Sequence, residues 1–174
     1  WIVVGAGTGG TSATFGRYVR YRRHETRVAV VDPENSAYYE GWRSGRVDYT
    51  TGKPSRIEGI GRPRVEPSFV GDVIDEVIPV KDAASLAAIR VLRERTRHWA
   101  GGSTGTNLIG AFQLISRMRA AGERGSVVTL ICDGGARYEA THYDDDWVAA
   151  QGLDLAPERA RIERFLATGT WESA

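Results

Sequence analysis

Apolar residues along this chain switch repeatedly between two kinds of run. Trp1–Val4, Arg27–Val31, Glu76–Val80 and Ser126–Ile131 are short, β-branched stretches with the length of buried strands. Between them, apolar positions recur every three or four residues. Phe15, Tyr18 and Val19 predict a helix over Thr11–Arg22, and Leu86, Ala87, Arg90 and Leu92 mark the faces of another over Ala83–Arg97. Leu108, Ala111, Phe112, Ile115 and Met118 predict a third over Asn107–Ala121, after a tight glycine turn at Gly101–Gly105. The Asp144–Asp146 run predicts the cap of a short helix starting near Trp147, and Pro157–Ala167 predicts a terminal helix. Strands separated by helices predict an α/β fold on a mostly parallel sheet, with ligands at the carboxyl ends of the strands.

The pattern lapses between Pro33 and Asp72, a stretch of about 40 residues dense in Gly, Pro, Arg and Tyr. Connections in compact domains usually run about 4–6 residues. Such an excess marks a lid, a subunit contact or a mobile binding segment, or else an insertion packed on the surface. Within it, Arg56–Gly61 reads as a flexible lip at a pocket. Tyr38, Tyr39 and Trp42 suit a lid or dimer face, and equally simple packing.

Candidate chemistry concentrates at the first turn. Trp1–Val4 feeds Gly5-Ala6-Gly7-Thr8-Gly9-Gly10-Thr11 and then a helix, so free backbone N–H groups collect at the positive end of a helix dipole. Glycines let an anion approach the backbone closely, and Thr8 and Thr11 add hydroxyl donors. Two ligands fit. Gly5-x-Gly7-x-x-Gly10 is a dinucleotide fingerprint, with Asp32 placed 22 residues beyond Gly10 as a ribose-binding acid. That reading makes the chain an NAD(P)- or FAD-binding Rossmann module. The other reading places a single phosphate monoester on the turn, with Asp32-Pro33 as a strand-ending turn.

Composition narrows the field. The net charge of +1 argues against a nucleic-acid surface, and a single cysteine excludes a disulfide framework and fits a reducing cytoplasm. No run of about 18 apolar residues predicts a membrane span. His24, His98 and His142 lack metal-ligand spacing and suit surface or helix-end positions. The Asp144–Asp146 cluster is too short for calcium, so no metal is expected. Cys132, at a strand end, reads as a buried thiol. A chain that opens inside its ligand-carrying strand reads as the C-terminal part of a longer polypeptide.

Five motifs then fall in order along nearly the whole chain: Gly7-Thr8-Gly9-Gly10-Thr11, Val30-Val31-Asp32-Pro33-Glu34, Glu58-Gly59-Ile60-Gly61, Gly101-Gly102-Ser103-Thr104-Gly105 and Cys132-Asp133-Gly134-Gly135-Ala136-Arg137-Tyr138. Together they resemble the fold-type II pyridoxal-phosphate enzymes of the cysteine synthase and cystathionine β-synthase family. Asp32–Ser36, Ser55–Pro67 and Ser103–Leu108 resemble its L-cysteine desulfhydrase branch. The resemblance implies a three-layer α/β/α architecture of the tryptophan synthase β kind, present as its C-terminal portion. Residues 1–150 would form the cofactor-binding domain, including the long loop 33–72, and residues 151–174 a tail helix.

It also implies pyridoxal 5′-phosphate on Gly7, Thr8, Gly9, Gly10 and Thr11, with Ser103 beside the pyridine nitrogen and Gly59, Ile60 and Gly61 as the substrate loop. Ser103 equally suits a helix N-cap. Gly134 departs from members that carry a serine there. Its glycine either passes that duty to Ser103 or weakens the ring contact, and a non-catalytic paralogue is a further reading. Asp133 reads as a turn cap. No catalytic residue is expected in the chain. The Schiff-base lysine lies in the N-terminal half of the family, and Lys53 and Lys81 match no such position. The implied activity is β-elimination on L-cysteine, giving sulfide, pyruvate and ammonia, or the related β-replacement on L-cysteine or an O-substituted serine. The enzyme would be a cytoplasmic homodimer, and this portion alone would be inactive.

Overall fold

The computed structural model describes residues 1–172. Parallel sheets bury both faces, so their central strands are apolar throughout, and that rule selects Val28–Pro33 (β2) as the centre. Every one of its six residues is buried. Ile2–Gly5 (β1) and Glu76–Val80 (β3) flank it, and Val128–Thr129 (β4) adds to the far side of β1 in the all-parallel order β3-β2-β1-β4. Alternate side chains of β2 feed opposite layers. Val28 and Val30 pack with Val19 of α1 (Gly10–Tyr21), Tyr38 of α2 (Tyr38–Ser44), Phe69 and Ile74. Ala29 and Val31 pack with Ala84 and Ala87 of α3 (Asp82–Thr96) and with Ile109 and Leu114 of α4 (Gly102–Ala120). The expected three layers are present.

Two short elements finish the chain. Asp144 caps α5 (Asp145–Ala150) by accepting the Trp147 N–H at 2.6 Å, as its position predicts. Helix α6 (Ala156–Thr168) lies outside α3, where Phe165 stacks on Phe112 of α4 with ring centroids 4.5 Å apart.

Three expectations change. The Ser126–Ile131 strand shrinks to two residues at the sheet edge. Val128, Leu130 and Ile131 are 56%, 41% and 60% exposed, because β4 has only β1 beside it among the described residues. Second, α4 begins at Gly102, five residues before the expected Asn107, since the glycine run forms the helix's first turn and not a separate turn. Third, the 33–72 stretch is not a plain loop. It holds α2, an antiparallel bridge between Thr50 and Arg64, and a 3₁₀ turn at Gly71–Val73. Helix α2 spans seven residues, too few to show a periodicity. The expected flexible lip is anchored: Ile57 and Ile60 are 1% and 6% exposed, packed with Leu86 and Val148. Tyr38 is fully buried and stacked on Phe69, so packing, not a lid or dimer face, explains it. No helix among the described residues is long and apolar enough to cross a membrane.

Helices α3 and α4 touch so closely that Gly105 has no room for a side chain. A Cβ there would run into the Ser85 carbonyl, and the Ser85 and Thr106 hydroxyls bond across the contact at 2.8 Å. In an open helix Gly→Ala stabilises by about 1 kcal/mol. Here the clash reverses the sign, as overpacking costs about 1–3 kcal/mol. Gly105→Ala is expected to lower the urea midpoint, with an unchanged m value, by an amount equivalent to about 1–2 kcal/mol.

Candidate functional site

Only Ala6–Gly9 separate β1 from α1, so the chain reverses within four residues. Gly9 takes a left-handed φ of 91°, and a Cβ on it would sit 2.5 Å from the Phe69 Cα. A Cβ on Gly7 would sit 2.5 Å from the Gly59 carbonyl oxygen. Both glycines are therefore required by close backbone approach, and Gly9 by its conformation as well.

Every carbonyl of the turn is held from behind. The Gly61 N–H donates to Ala6 O at 2.8 Å, the Tyr38 hydroxyl to Gly7 O, and the Ser68 hydroxyl to Thr8 O at 2.7 Å. Gly9 O accepts from the Ala13 N–H and the Ser12 hydroxyl, each at 2.9 Å. No peptide bond here is cis. In a trans peptide the C=O and the following N–H point opposite ways, so the N–H groups of Gly7, Thr8, Gly9 and Gly10 face away from these braces. Those of Thr11 and Ser12 follow as the unpaired first turn of a helix. No side chain caps α1, and its first turn carries no acidic residue. The positive end of the helix is bare.

These amides open into a cavity of about 240 Å³ lined by Gly5–Ser12, Gly59, Ile60, Asn107, Leu130 and Cys132. It sits at the carboxyl ends of β1 and β4, where the strand order reverses direction, the usual ligand position in an open α/β sheet. Gly7, Thr8, Gly9, Gly10 and Thr11 thus meet Gly59 and Ile60 in one place. Gly61 stands behind the turn, as the donor to Ala6 O.

Ser103 is not part of that wall. It is buried in the first turn of α4 with no capping bond, and Gly101 occupies the N-cap. One helical turn on, Asn107 reaches the wall instead, its amide donating to Leu130 O at 3.1 Å. Gly134 is exposed, and Asp133 accepts the Tyr138 hydroxyl at 2.7 Å inside the turn. The braces Tyr38 and Ser68, and the wall residues Asn107 and Leu130, escape sequence reasoning. The only signal for Asn107 is its place at the end of the Ser-Thr-Gly-Thr-Asn run.

Three further readings are corrected. Cys132 is exposed and lines the cavity, because β4 ends before reaching it. His142 is 3% exposed, stacked flat on Tyr138 and packed against Gly102, not at the surface. Asp32 is 2% exposed and accepts the Tyr39 N–H at 2.7 Å. Burial pushes its carboxyl up to about 6. A ribose acid must present its carboxylate to the ligand, and Asp32 does not, so it ends a strand as the monoester reading requires. Burial also raises the Tyr38 phenol, which keeps its proton for Gly7 O.

Comparison with known proteins gives a consistent picture. The model of the family described as pyridoxal-phosphate dependent enzyme matches residues 1–133. L-cysteine desulfhydrase Cds1 of Mycobacterium tuberculosis is 56% identical over 98% of this chain, which covers 46% of that protein. Cysteine synthase 2 of Neurospora crassa is 33% identical over 98% of this chain and 39% of its own length. Among solved structures, O-ureido-L-serine synthase superposes with a TM-score of 0.65 at 26% identity, over 85% of this chain and 46% of that one. The O-acetylserine-dependent cystathionine β-synthase of Helicobacter pylori gives 0.64 at 27%, over 80% and 42%. The chain spans about half the length of the relatives it matches.

Two outcomes follow from this geometry. Tyr38→Phe frees Gly7 O to turn, and should weaken inorganic phosphate binding about fivefold in a calorimetric titration, the effect of about 1 kcal/mol for one lost hydrogen bond. Burial lowers the His142 imidazole below its ordinary 6.5. Its contribution to stability is therefore complete above pH 6.5, and is lost as the pH falls below that value while the unfolded chain takes up the proton. The stability gap between wild type and His142→Gln, read from urea melts, should narrow between pH 7.5 and 5.5.

Proposed function

Since the chain belongs to the pyridoxal-phosphate dependent enzyme family, we propose that it forms the phosphate-holding part of an enzyme that eliminates sulfide from L-cysteine. The observation that carries this reading is the row of outward-facing amides from Gly7 to Ser12, with no acceptor among the described residues. A phosphate monoester fits such a row. It brings several strong acceptors and two negative charges to a bare helix terminus, and Thr8 and Thr11 lie exposed beside it. At Gly7 and Gly9 a side chain would strike neighbouring backbone, so the turn stays bare there.

Pyridoxal phosphate, when bound, supplies an electron sink that lets the Cα proton and then the β-thiol of cysteine depart. In this chain Gly7–Thr11 bind and orient. Gly59 and Ile60 border the substrate side, and Leu130 and Cys132 complete the wall. Water adds to the product of elimination, so cysteine plus water becomes sulfide, pyruvate and ammonia.

No lysine lines the cavity. Lys53 is exposed on the long segment, and Lys81 is exposed with its amine 3.7 Å from Glu158. We infer that the base that moves the Cα proton comes from sequence outside this chain, and we propose that the whole enzyme is a cytoplasmic homodimer. Residues 1–150 serve as the cofactor domain and 151–174 as a tail helix. Likeness to cysteine synthase 2 supports a second reading, in which a nucleophile replaces the thiol within the same site.

The complete polypeptide, purified with pyridoxal phosphate, is expected to absorb in the violet and to lose that band on borohydride reduction. It should release sulfide and pyruvate from cysteine in equal amounts. The 174-residue chain by itself should release neither. Tight NADH binding, or a flavin spectrum, would defeat this assignment; pyruvate-free synthesis of a β-substituted alanine would favour the second reading.

A further inference from the structure

The Gly59–Gly61 loop reaches the cavity from a segment whose charged anchor lies some way behind it. Arg56, three residues before Gly59, points its Nη1 at Asp82 Oδ2 (3.2 Å) and at Glu34 Oε2 (3.6 Å). Asp82 opens α3 with its side chain fully buried, and Glu34 follows directly on β2. The two acids also clasp each other's backbone: the Glu34 N–H donates to Asp82 Oδ1 at 3.2 Å and the Asp82 N–H to Glu34 Oε2 at 3.3 Å. Three chain segments therefore meet on one buried carboxylate.

On the other flank, Glu58 pairs with Arg137 at 3.0 Å, but both side chains are about 60% exposed. Exposed pairs of this kind contribute little. Arg56 is 39% exposed and its Asp82 partner 0%, so the Arg56 contact is the stronger tether. Beyond it Ile57 is buried, Gly59 and Gly61 take left-handed φ values of 85° and 74°, and the Gly61 N–H bonds Ala6 O in the phosphate turn. Displacement of Arg56 thus passes along a short, constrained path to the cavity wall.

We propose that Arg56, gripped by Asp82 and Glu34, is a positioning residue: a latch that holds the Gly59–Gly61 loop in place on the substrate side of the cavity. The inference rests on the functional reading above for what the loop meets, and on geometry alone for the latch. Acid weakens the grip. Each Asp82 oxygen now accepts one N–H, from Glu34 and from Arg56. A protonated carboxyl keeps only one good acceptor, so one of those bonds is lost. Burial, followed by repulsion from Glu34, raises the Asp82 carboxyl to about 6, with Arg56 acting in the opposite sense. The charged groups facing it are Glu34 and Arg56; the neighbouring Lys81 amine is turned to Glu158 on α6. The latch is closed above pH 6 and loosens as the pH falls through that value.

Hydrogen exchange on the unliganded complete protein tests the latch directly. Arg56→Ala should lower the protection factors of the Ile57 and Gly61 amides, bonded to Ser55 Oγ and Ala6 O, about tenfold, the effect of a charge-assisted bond with one partner half in water. Helix α1 should keep its protection, and Arg56→Lys should restore part of the loss. Wild-type protection over the same amides should fall between pH 7.5 and 5.5, whereas Arg56→Ala should show no such fall. On cysteine, Arg56→Ala should raise KM several-fold with kcat less affected and cofactor affinity retained. Unchanged exchange in Arg56→Ala, a pH response that survives that substitution, or a loosened loop with unaltered KM would each overturn the proposal. Absence of sulfide release by wild type would instead strike the functional reading, and the exchange data would still judge the latch.

Discussion

The structure is organised around a row of peptide N–H groups that receive no acceptor from the described residues. Unpaired backbone donors are costly when buried, so a bare helix start is tolerable only where it faces a cavity that water or an anion can fill. The chain secures that orientation by satisfying the opposite ends of the same peptides. Gly61, Tyr38, Ser68 and Ser12 hold four consecutive carbonyls, and the N–H groups have one direction left. Rigid donors aimed in advance lose little entropy when a phosphate arrives.

This arrangement gives the long 33–72 segment its purpose. Three of the four braces' residues lie within it, and Phe69 fills the space behind Gly9 while stacking on Tyr38 at 4.4 Å. The segment is a backing for the phosphate turn, fastened by Ile57, Ile60 and Phe69 in the cores and by Arg56 on its carboxylates. A connection of this length is justified by the contacts it makes, and its anchors are spaced irregularly because they serve a curved surface and not one helical or strand face.

Two buried carboxylates, Asp32 and Asp82, stand near the carboxyl ends of β2 and β3. Each is raised to about 6, chiefly by burial. Both cost folding free energy when ionised at neutral pH, in the opposite sense to His142, whose contribution is lost in acid. Acidification thus relieves two groups and strains a third. The His142 change opposes that of the two carboxylates in global stability, whereas the effect on the Arg56 grip is local to Asp82.

Local pattern was enough for the alternation of strands and helices, the parallel sheet, and the glycine turn with its phosphate-sized demand, because a strand, a Gly-rich turn and a helix start are written in contiguous residues. The five ordered motifs carried the family resemblance for the same reason. Pattern failed where a residue's role depends on a distant neighbour. Asn107, one turn after Ser103, lines the cavity through its contact with Leu130, which local pattern does not show. Asp32 looked like a ribose acid until the Tyr39 amide claimed it. Cys132 and His142 exchanged their expected exposures, since one follows a strand truncated at the sheet edge and the other folds back beneath α4. Sequence alone determined which backbone could cradle an anion; only the tertiary fold decided which way that backbone faces, because peptide orientation is set by hydrogen bonds from residues up to 60 positions away.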